Sequence, residues 1–351
     1  MHPLEANQQA EAEQLKQAFL GVMLEIAEQI PVSPTRKQIL TVTPVIPHLA
    51  EAADHLDTRV NNENSIWLYE GISRFYAGQG IYNQAQLWRE RCLTVARTYL
   101  GLNHLQVAAT LSNLAMLHRL QGRFEKAEQL YLEAVEISKR NPLFSHLDMA
   151  RLLNNLALLY DYLNRYEEAE PRYLESLEIM KRYLGHSNSE IVACLSNELA
   201  AGLNNLGKLY IAQRQYSKAQ SLFQKALNIR RQLFGSKHQD VARVLENLAS
   251  LYSYQGYFEV AIPMYWEALE IRRYSQGLEH PDLATTLNNL ALIYDFQGYF
   301  ALAEQLYREA LAIAEHRLGV GHPDSVAIRK NLSSLRVHQN LSFEQLAHAI
   351  Y

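Results

Sequence analysis

Apolar residues in this chain recur at steps of three and four, not two, which is the period of a helix face. Leu283, Leu287, Leu290, Ala291 and Tyr294 share one such face and predict a helix from Asp282 to Gln297. Gly298 ends it, because glycine takes the left-handed conformation that closes a helix. Gly80, Gly122 and Gly256 hold the same place elsewhere; Asn164 is a tolerable substitute and Arg214 a departure. A second helix is predicted from Ala301 to Arg317, with Ala303, Leu306, Tyr307, Ala310, Leu311 and Ile313 on its packing side.

This helix pair is one copy of many. Asn-Leu followed by a small residue recurs at Asn113, Asn155, Asn205, Asn247, Asn289 and Asn331, at intervals of 42, 50, 42, 42 and 42 residues. A fixed period of this length marks a stacked array in which each unit buries its apolar face against its neighbours. The single longer interval contains Ser189 to Ala201, which reads as continuous amphipathic helix through Ile191, Val192, Leu195 and Leu199. The first helix of the fourth unit is therefore expected to be longer than the others, by about two turns at 3.6 residues per turn.

Linkers between units read Leu-Gly-x-x-His, as in Gly277 to Asp282 and Gly319 to Asp324. Gly stops one helix, and Pro with Asp suits the start of the next. His238, His280 and His322 recur one helix pair apart, about 16 to 20 Å when helices pack roughly 8 to 10 Å apart, too far for shared metal coordination. Basic dyads gather near the ends of the second helices, as Lys139-Arg140, Lys181-Arg182, Arg230-Arg231 and Arg272-Arg273, where positive charge opposes the helix dipole.

Composition narrows the function. The chain has 351 residues, 33 Lys plus Arg against 37 Asp plus Glu, and a net charge of −4, with no basic run suited to nucleic acid. Cys92 and Cys194 form neither a disulfide framework nor a zinc site and read as small buried side chains of a reducing compartment. The apolar stretch Ala18 to Ala27 is far shorter than the roughly 20 residues needed to span a bilayer, so a soluble, cytoplasmic protein is expected. Gly202 to Lys208 resembles a phosphate-binding loop, but Leu209 stands where Ser or Thr must hold magnesium, and the segment lies inside a repeat helix with Gly207 as its small packing residue. No catalytic set, cofactor motif or metal cluster stands outside the repeat pattern, and no enzymatic activity is expected.

Ala291, Tyr294, Ala303, Tyr307 and Ala310 match the pattern of the tetratricopeptide repeat. The 42-residue period with its Leu-Gly-x-x-His-Pro-Asp linker resembles the kinesin-light-chain type of that repeat, from Ser65 to about Gln339. His118, Arg336 and Arg89 depart from the pattern at aromatic positions. The resemblance implies an all-α, right-handed superhelical solenoid of antiparallel helix pairs: non-repeat helices over residues 1–64, an array of six full units and a half unit over 65–340, and a short capping helix over 341–351 with Ser342 as N-cap and Phe343 and Leu346 closing the last apolar face. No sustained heptads precede the array, so association with a kinesin motor is not expected. His2-Pro3-Leu4, a helix from about Ala6 to Gln29 and Pro44 to Leu49 resemble the junction ahead of the sensor array in bacterial NB-ARC/STAND signalling ATPases. That resemblance implies, as an alternative, a regulatory sensor arm working with a separate nucleotide-binding partner. An assembly scaffold stacking through its ends is a third reading.

Beside the buried face of each first helix runs a second stripe, expected to line the concave groove of the stack. It holds Ser112, Asn113, Met116 and Arg119; then Arg151, Asn154, Asn155, Leu158 and Tyr162; then Ala201, Asn204, Asn205 and Lys208; then Arg243, Glu246, Asn247, Ser250 and Tyr254; then Thr285, Asn288, Asn289, Leu292 and Phe296. Asn offers a donor and an acceptor, so a ladder of them suits the backbone of an extended peptide, or equally the bonding of helix to helix. In the resembling family groove asparagines contact peptides, which implies that role for Asn155, Asn205, Asn247 and Asn289. Arg74, Arg119, Arg151, Lys208 and Arg243 make the stripe basic, tempered by Glu70 and Glu246, and Met116, Leu158, Tyr162, Leu292 and Phe296 offer apolar anchor points. The expected ligand is a protein segment or extended peptide with an acidic side and one or two large apolar residues.

Overall fold

The computed structural model describes residues 3–31, 36–56, 66–141, 145–184, 189–278 and 280–335. Among these the chain is helical and contains no strand. It divides into two compact units, Met1–Ser176 and Leu177–Tyr351. The first holds α1 (Pro3–Gln29), α2 (Arg36–Val42), a 3-10 turn (Thr43–Val45), α3 (Ile46–Leu56), α4 (Ile66–Gly78), α5 (Tyr82–Leu100), α6 (Leu105–Leu120), α7 (Phe124–Arg140) and α8 (His146–Tyr162). The division falls within α9 (Tyr166–Leu184). The second holds α10 (Ser189–Ala212), α11 (Tyr216–Phe234), α12 (Gln239–Tyr254), α13 (Phe258–Gln276), α14 (Pro281–Phe296) and α15 (Phe300–Leu318), followed by helical residues 323–335. The expected capping helix at 341–351, with Ser342, Phe343 and Leu346, lies outside the described residues.

Helices pack in successive pairs, most extensively α4 with α5, α6 with α7, α10 with α11, α12 with α13 and α14 with α15. The turn inside each pair has one geometry. Gly298 sits at φ 81°, and the next N–H, of Tyr299, donates to the carbonyl of Tyr294 at 2.8 Å, which satisfies one of the carbonyls that a helix end leaves free. Asn164 and Arg214 adopt the same conformation, at φ 57° and 60°. The latter is a side chain held where L-residues are disfavoured by about 1–2 kcal/mol.

Between pairs, Gly235, Gly277 and Gly319 end the second helices with positive φ, and a histidine starts the next first helix. The Nδ1 atoms of His104, His238, His280 and His322 each accept from the backbone N–H two residues on, at 3.2 Å. The imidazole thus does at this N-cap what Ser or Asp commonly does.

Small residues let the paired helices approach. A Cβ on Gly207 would lie 2.6 Å from the ring of Phe223, so this glycine is a packing contact of α10 on α11 and not part of a phosphate loop. A Cβ on Gly71 would lie 2.8 Å from the carbonyl of Ala27, where α1 crosses α4. The Tyr69 hydroxyl donates to the Ala53 carbonyl at 2.9 Å and Arg74 to that of Ile30 at 3.1 Å, so α1 and α3 belong to the core of the first unit.

Helix α10 has 24 residues against 16 for α12 and α14. Cys194 lies on its additional N-terminal turns and is exposed, not buried as its residue type suggested; Cys92 is fully buried.

Candidate functional site

In the first unit the stripe is carried by α4, α6 and α8. The amide nitrogen of Asn113 on α6 donates to Glu70 on α4 at 3.2 Å. Glu70 is itself 2% exposed, because the buried guanidinium of Arg89 from the paired helix α5 bonds it while Arg89 Nε donates to Ser73 at 3.2 Å. Arg89 stands where other repeats have an aromatic ring, and Glu70 supplies the reason. Arg74 is occupied internally by the Ile30 carbonyl and by Trp67, 5.3 Å from its guanidinium; burial pushes its pKa down, with Glu70 opposing that shift. Arg119 lies 5.3 Å over the ring of Tyr162, which is 60% exposed. Arg151 is half-buried and donates to Asp148 at 3.4 Å; Asn154, Asn155 and Leu158 are half-buried beside it.

In the second unit α10, α12 and α14 carry it. Asn247 donates to Asn204 at 2.7 Å, and Asn331 donates to Asn288 at 2.9 Å. With Asn113 and Glu70, these are three instances of one arrangement: in each, the Asn of an Asn-Leu reaches back 43 residues to the preceding first helix. Asn204 is 5% exposed, and Asn205, Asn247, Asn288 and Asn289 are half-buried. Glu246 is also drawn inward. Nε and Nη2 of Arg272 donate to its two oxygens at 2.7 and 2.5 Å, Nη1 of the same group donates to Asp282 at 2.6 Å, and the Thr286 hydroxyl donates to Glu246.

Outward from this bonded layer lie the side chains that vary between repeats. Lys208 is exposed, and Arg243 is exposed and pairs with Asp240 at 3.2 Å. Tyr254 is 66% exposed, Phe296 79% and Leu292 42%. Tyr257 and Tyr299, in the turns that follow, are exposed as well, at 59% and 61%; Phe258 packs on Phe296 with ring centroids 5.2 Å apart. The turn tyrosines were not singled out by the helical period, because they lie outside the helices it describes.

Two of the basic dyads divide their labour differently from the expectation that helix dipoles explain them. Arg231, exposed, and Arg273, half-buried, lie in the last turn and pair with the following second helix, at Glu267 (2.7 Å) and Glu309 (3.2 Å). Arg230 and Arg272 are buried, at 3% and 4% exposure, and point to the first helices instead.

The tetratricopeptide-repeat family model matches residues 64–140, 198–273 and 258–316, more than half of the chain, and a second model of the same repeat matches 149–190. The chain belongs to the tetratricopeptide-repeat family. These matches begin at residue 64 and do not extend to the segment that resembles the signalling ATPases. The crystal structure of BtubC (BKLC) from P. vanneervenii is similar at 27% identity and a TM-score of 0.56, over 69% of this chain and 94% of that one. The apo form of RapI is similar at 19% identity and 0.57, over 80% and 93%. The APC/C hetero-tetramer Cut9-Hcn1 is similar at 16% and 0.55, over 84% and 48%. At their identities the last two show the fold alone. No curated protein matches the sequence. Tetratricopeptide repeats are scaffolds for protein–protein interaction, which is the coarse function of this chain, and the family is in general not catalytic. No helix among the described residues is long and apolar enough to cross a membrane.

Proposed function

We propose that this tetratricopeptide-repeat protein is a non-catalytic cytoplasmic adaptor that binds an extended, acidic protein segment along the first-helix stripe, anchoring one or two large apolar side chains. The observation that carries the reading is the division of the stripe in the second unit. Asn204, Asn247, Asn288 and Glu246 are committed to neighbouring helices, whereas Lys208, Arg243, Tyr254, Leu292 and Phe296 are exposed. Exposed aromatic side chains of this size are the residue types that dominate binding energy at interfaces, and the cations beside them favour an acidic sequence. In the first unit Arg119, Arg151, Leu158 and Tyr162 offer the same combination. The role given to the asparagines shifts accordingly: Asn247 and Asn331 set helix against helix, and selectivity falls to their variable neighbours.

The test is selection of peptides from a random displayed library on the full chain, followed by binding measurements on a Tyr254→Ser/Phe296→Ser variant. Both residues are mostly exposed, so the variant stays folded. Enriched peptides rich in Asp, Glu and a large apolar residue are expected, with affinity falling roughly 30-fold in the variant if the pair contributes about 2 kcal/mol. Peptides that bind the variant as well as the wild type would overturn the reading.

A further inference from the structure

Comparison of equivalent positions in successive repeats isolates one side chain. Arg230 and Arg272 occupy the same place in α11 and α13 and are buried alike. Arg272 holds two carboxylates, Glu246 and Asp282. Arg230 keeps only the weaker half of that arrangement: Nη1 donates to the Asp240 carbonyl at 3.0 Å, with the Asp240 carboxylate 3.7 Å away. Where Glu246 and Thr286 stand around Arg272, Asn204 and Val244 stand around Arg230. Among the described residues, its buried Nε has no acceptor.

The charges differ as well. Around Arg272, one guanidinium faces two carboxylates. Around Arg230, two guanidinium groups, its own and that of Arg243, face the single carboxylate of Asp240. Burial pushes the Arg230 pKa down, Asp240 opposing the shift and Arg243 adding to it. Burial acts on Arg272 too, but hydrogen bonding and charge from Glu246, with Asp282, reverse it. A buried cation with an unused donor is a costly arrangement unless a partner supplies the acceptor.

We propose that Arg230, with Arg243 beside the same Asp240 carboxylate, receives a carboxylate from an Asp or Glu side chain of a bound partner, which takes the place that Glu246 fills for Arg272 one repeat later. The inference deepens the reading of the stripe as an acidic-peptide site and rests on it. Arg272 demonstrates that a guanidinium in this position accommodates a second carboxylate beside the Asp of the following helix.

The experiment follows the Arg Nε–Hε signals of the full chain, labelled with 15N-arginine, during titration with the blocked tripeptide Ac-Ala-Glu-Ala-NH2 and, separately, its Gln analogue. The Arg230 signal is assigned by its loss in Arg230→Met. Expected is a shift of that signal with the Glu peptide, roughly tenfold weaker binding of the Gln peptide, and no response in Asn204→Glu, whose own carboxylate occupies Arg230. No shift with the Glu peptide, or equal shifts with both peptides, overturns the proposal, as does an undiminished response in Asn204→Glu. Should Asn204→Glu fail to fold, the contrast between the two peptides on the wild type decides alone. If the Tyr254/Phe296 variant binds peptides normally while Arg230 still responds to Glu, the aromatic stripe reading fails and the carboxylate site stands; the converse result separates them the other way.

Discussion

Replacing Glu246 by Ala tests whether this stripe residue is a structural member of its repeat. The substitution removes two charge-assisted bonds from Arg272, at 2.7 and 2.5 Å, and one of the two acceptors of Thr286, which keeps the Asp282 carbonyl at 3.0 Å. The side chains of Glu246 and Arg272 are only 14% and 5% exposed, so water replaces little of what is lost. Breaking a buried pair from one side costs about 3–5 kcal/mol when the remaining charge has nothing else. Arg272 retains Asp282 at 2.6 Å, which places the expected loss near 2–3 kcal/mol. The double variant Glu246→Ala/Arg272→Met removes the stranded cation and leaves only Asp282, 43% exposed and readily hydrated, so most of the loss should return. Urea unfolding read by Trp266 fluorescence, with Trp67 and Trp88 changed to Phe, confines the signal to the second unit. At a slope of roughly 2 kcal/mol per molar urea the single variant unfolds about 1 M earlier. A loss below about 1 kcal/mol, or a double variant no more stable than the single one, would refute the assignment.

Three further outcomes follow from the geometry. Arg214→Gly relieves a positive φ and should raise stability by about 0.5–1 kcal/mol in the same urea assay, whereas the equivalent Gly256→Arg should lower it. His280→Ala removes the acceptor at the start of α14 and should cost about 1 kcal/mol, with His280→Asn retaining most of the wild-type stability in thermal unfolding; equal losses in the two variants would show that the cap contributes nothing. The Cys92 thiol is pushed up to about 12 by burial, with Glu70 adding to the shift. At neutral pH, native protein should therefore expose one reactive thiol, Cys194, to a thiol reagent and denatured protein two. Because the unfolded thiol ionises first, this group also lowers stability as pH rises from about 9 towards 12, a slope that Cys92→Ala should remove.

Helix positions were legible from the repeat because each depends on local period and punctuation. The expected helices at Asp282–Gln297 and Ala301–Arg317 are found as Pro281–Phe296 and Phe300–Leu318. The glycine turns were legible for the same reason, and Arg214 shows that the packed pair enforces the turn even on a side chain that disfavours it. Contacts between repeats were less legible. The Asn ladder could be placed on a stripe, but whether an amide faces a ligand or a neighbour depends on what lies 43 residues back, and only the folded geometry joins those positions. Arg230 and Arg272 were hidden by their charge and by adjacency to Arg231 and Arg273, which invited one explanation for both members of each dyad. The available signal was register: each lies seven residues after the buried aromatic Phe223 or Tyr265, on the same helix face. The histidine caps escaped because imidazole is not among the residues usually read as N-caps.

The two kinds of buried bond differ in how they would pass through the loss of a repeat. Glu246 and Arg272 both fall within residues 240–281, a single 42-residue period, as Glu70 and Arg89 fall within one repeat at the start of the array. Excision of 240–281 would therefore discard Arg272 and Glu246 together, join Gln239 to Asp282 so that Asp282 takes the place of Asp240 beside Arg230, and bring Asn289 to the position from which Asn247 bonds Asn204. The Glu246–Arg272 pair is inherited or lost together, while the link between neighbours is written in one interchangeable residue, so that a gene of this kind can shed or duplicate a segment without stranding either member of that pair.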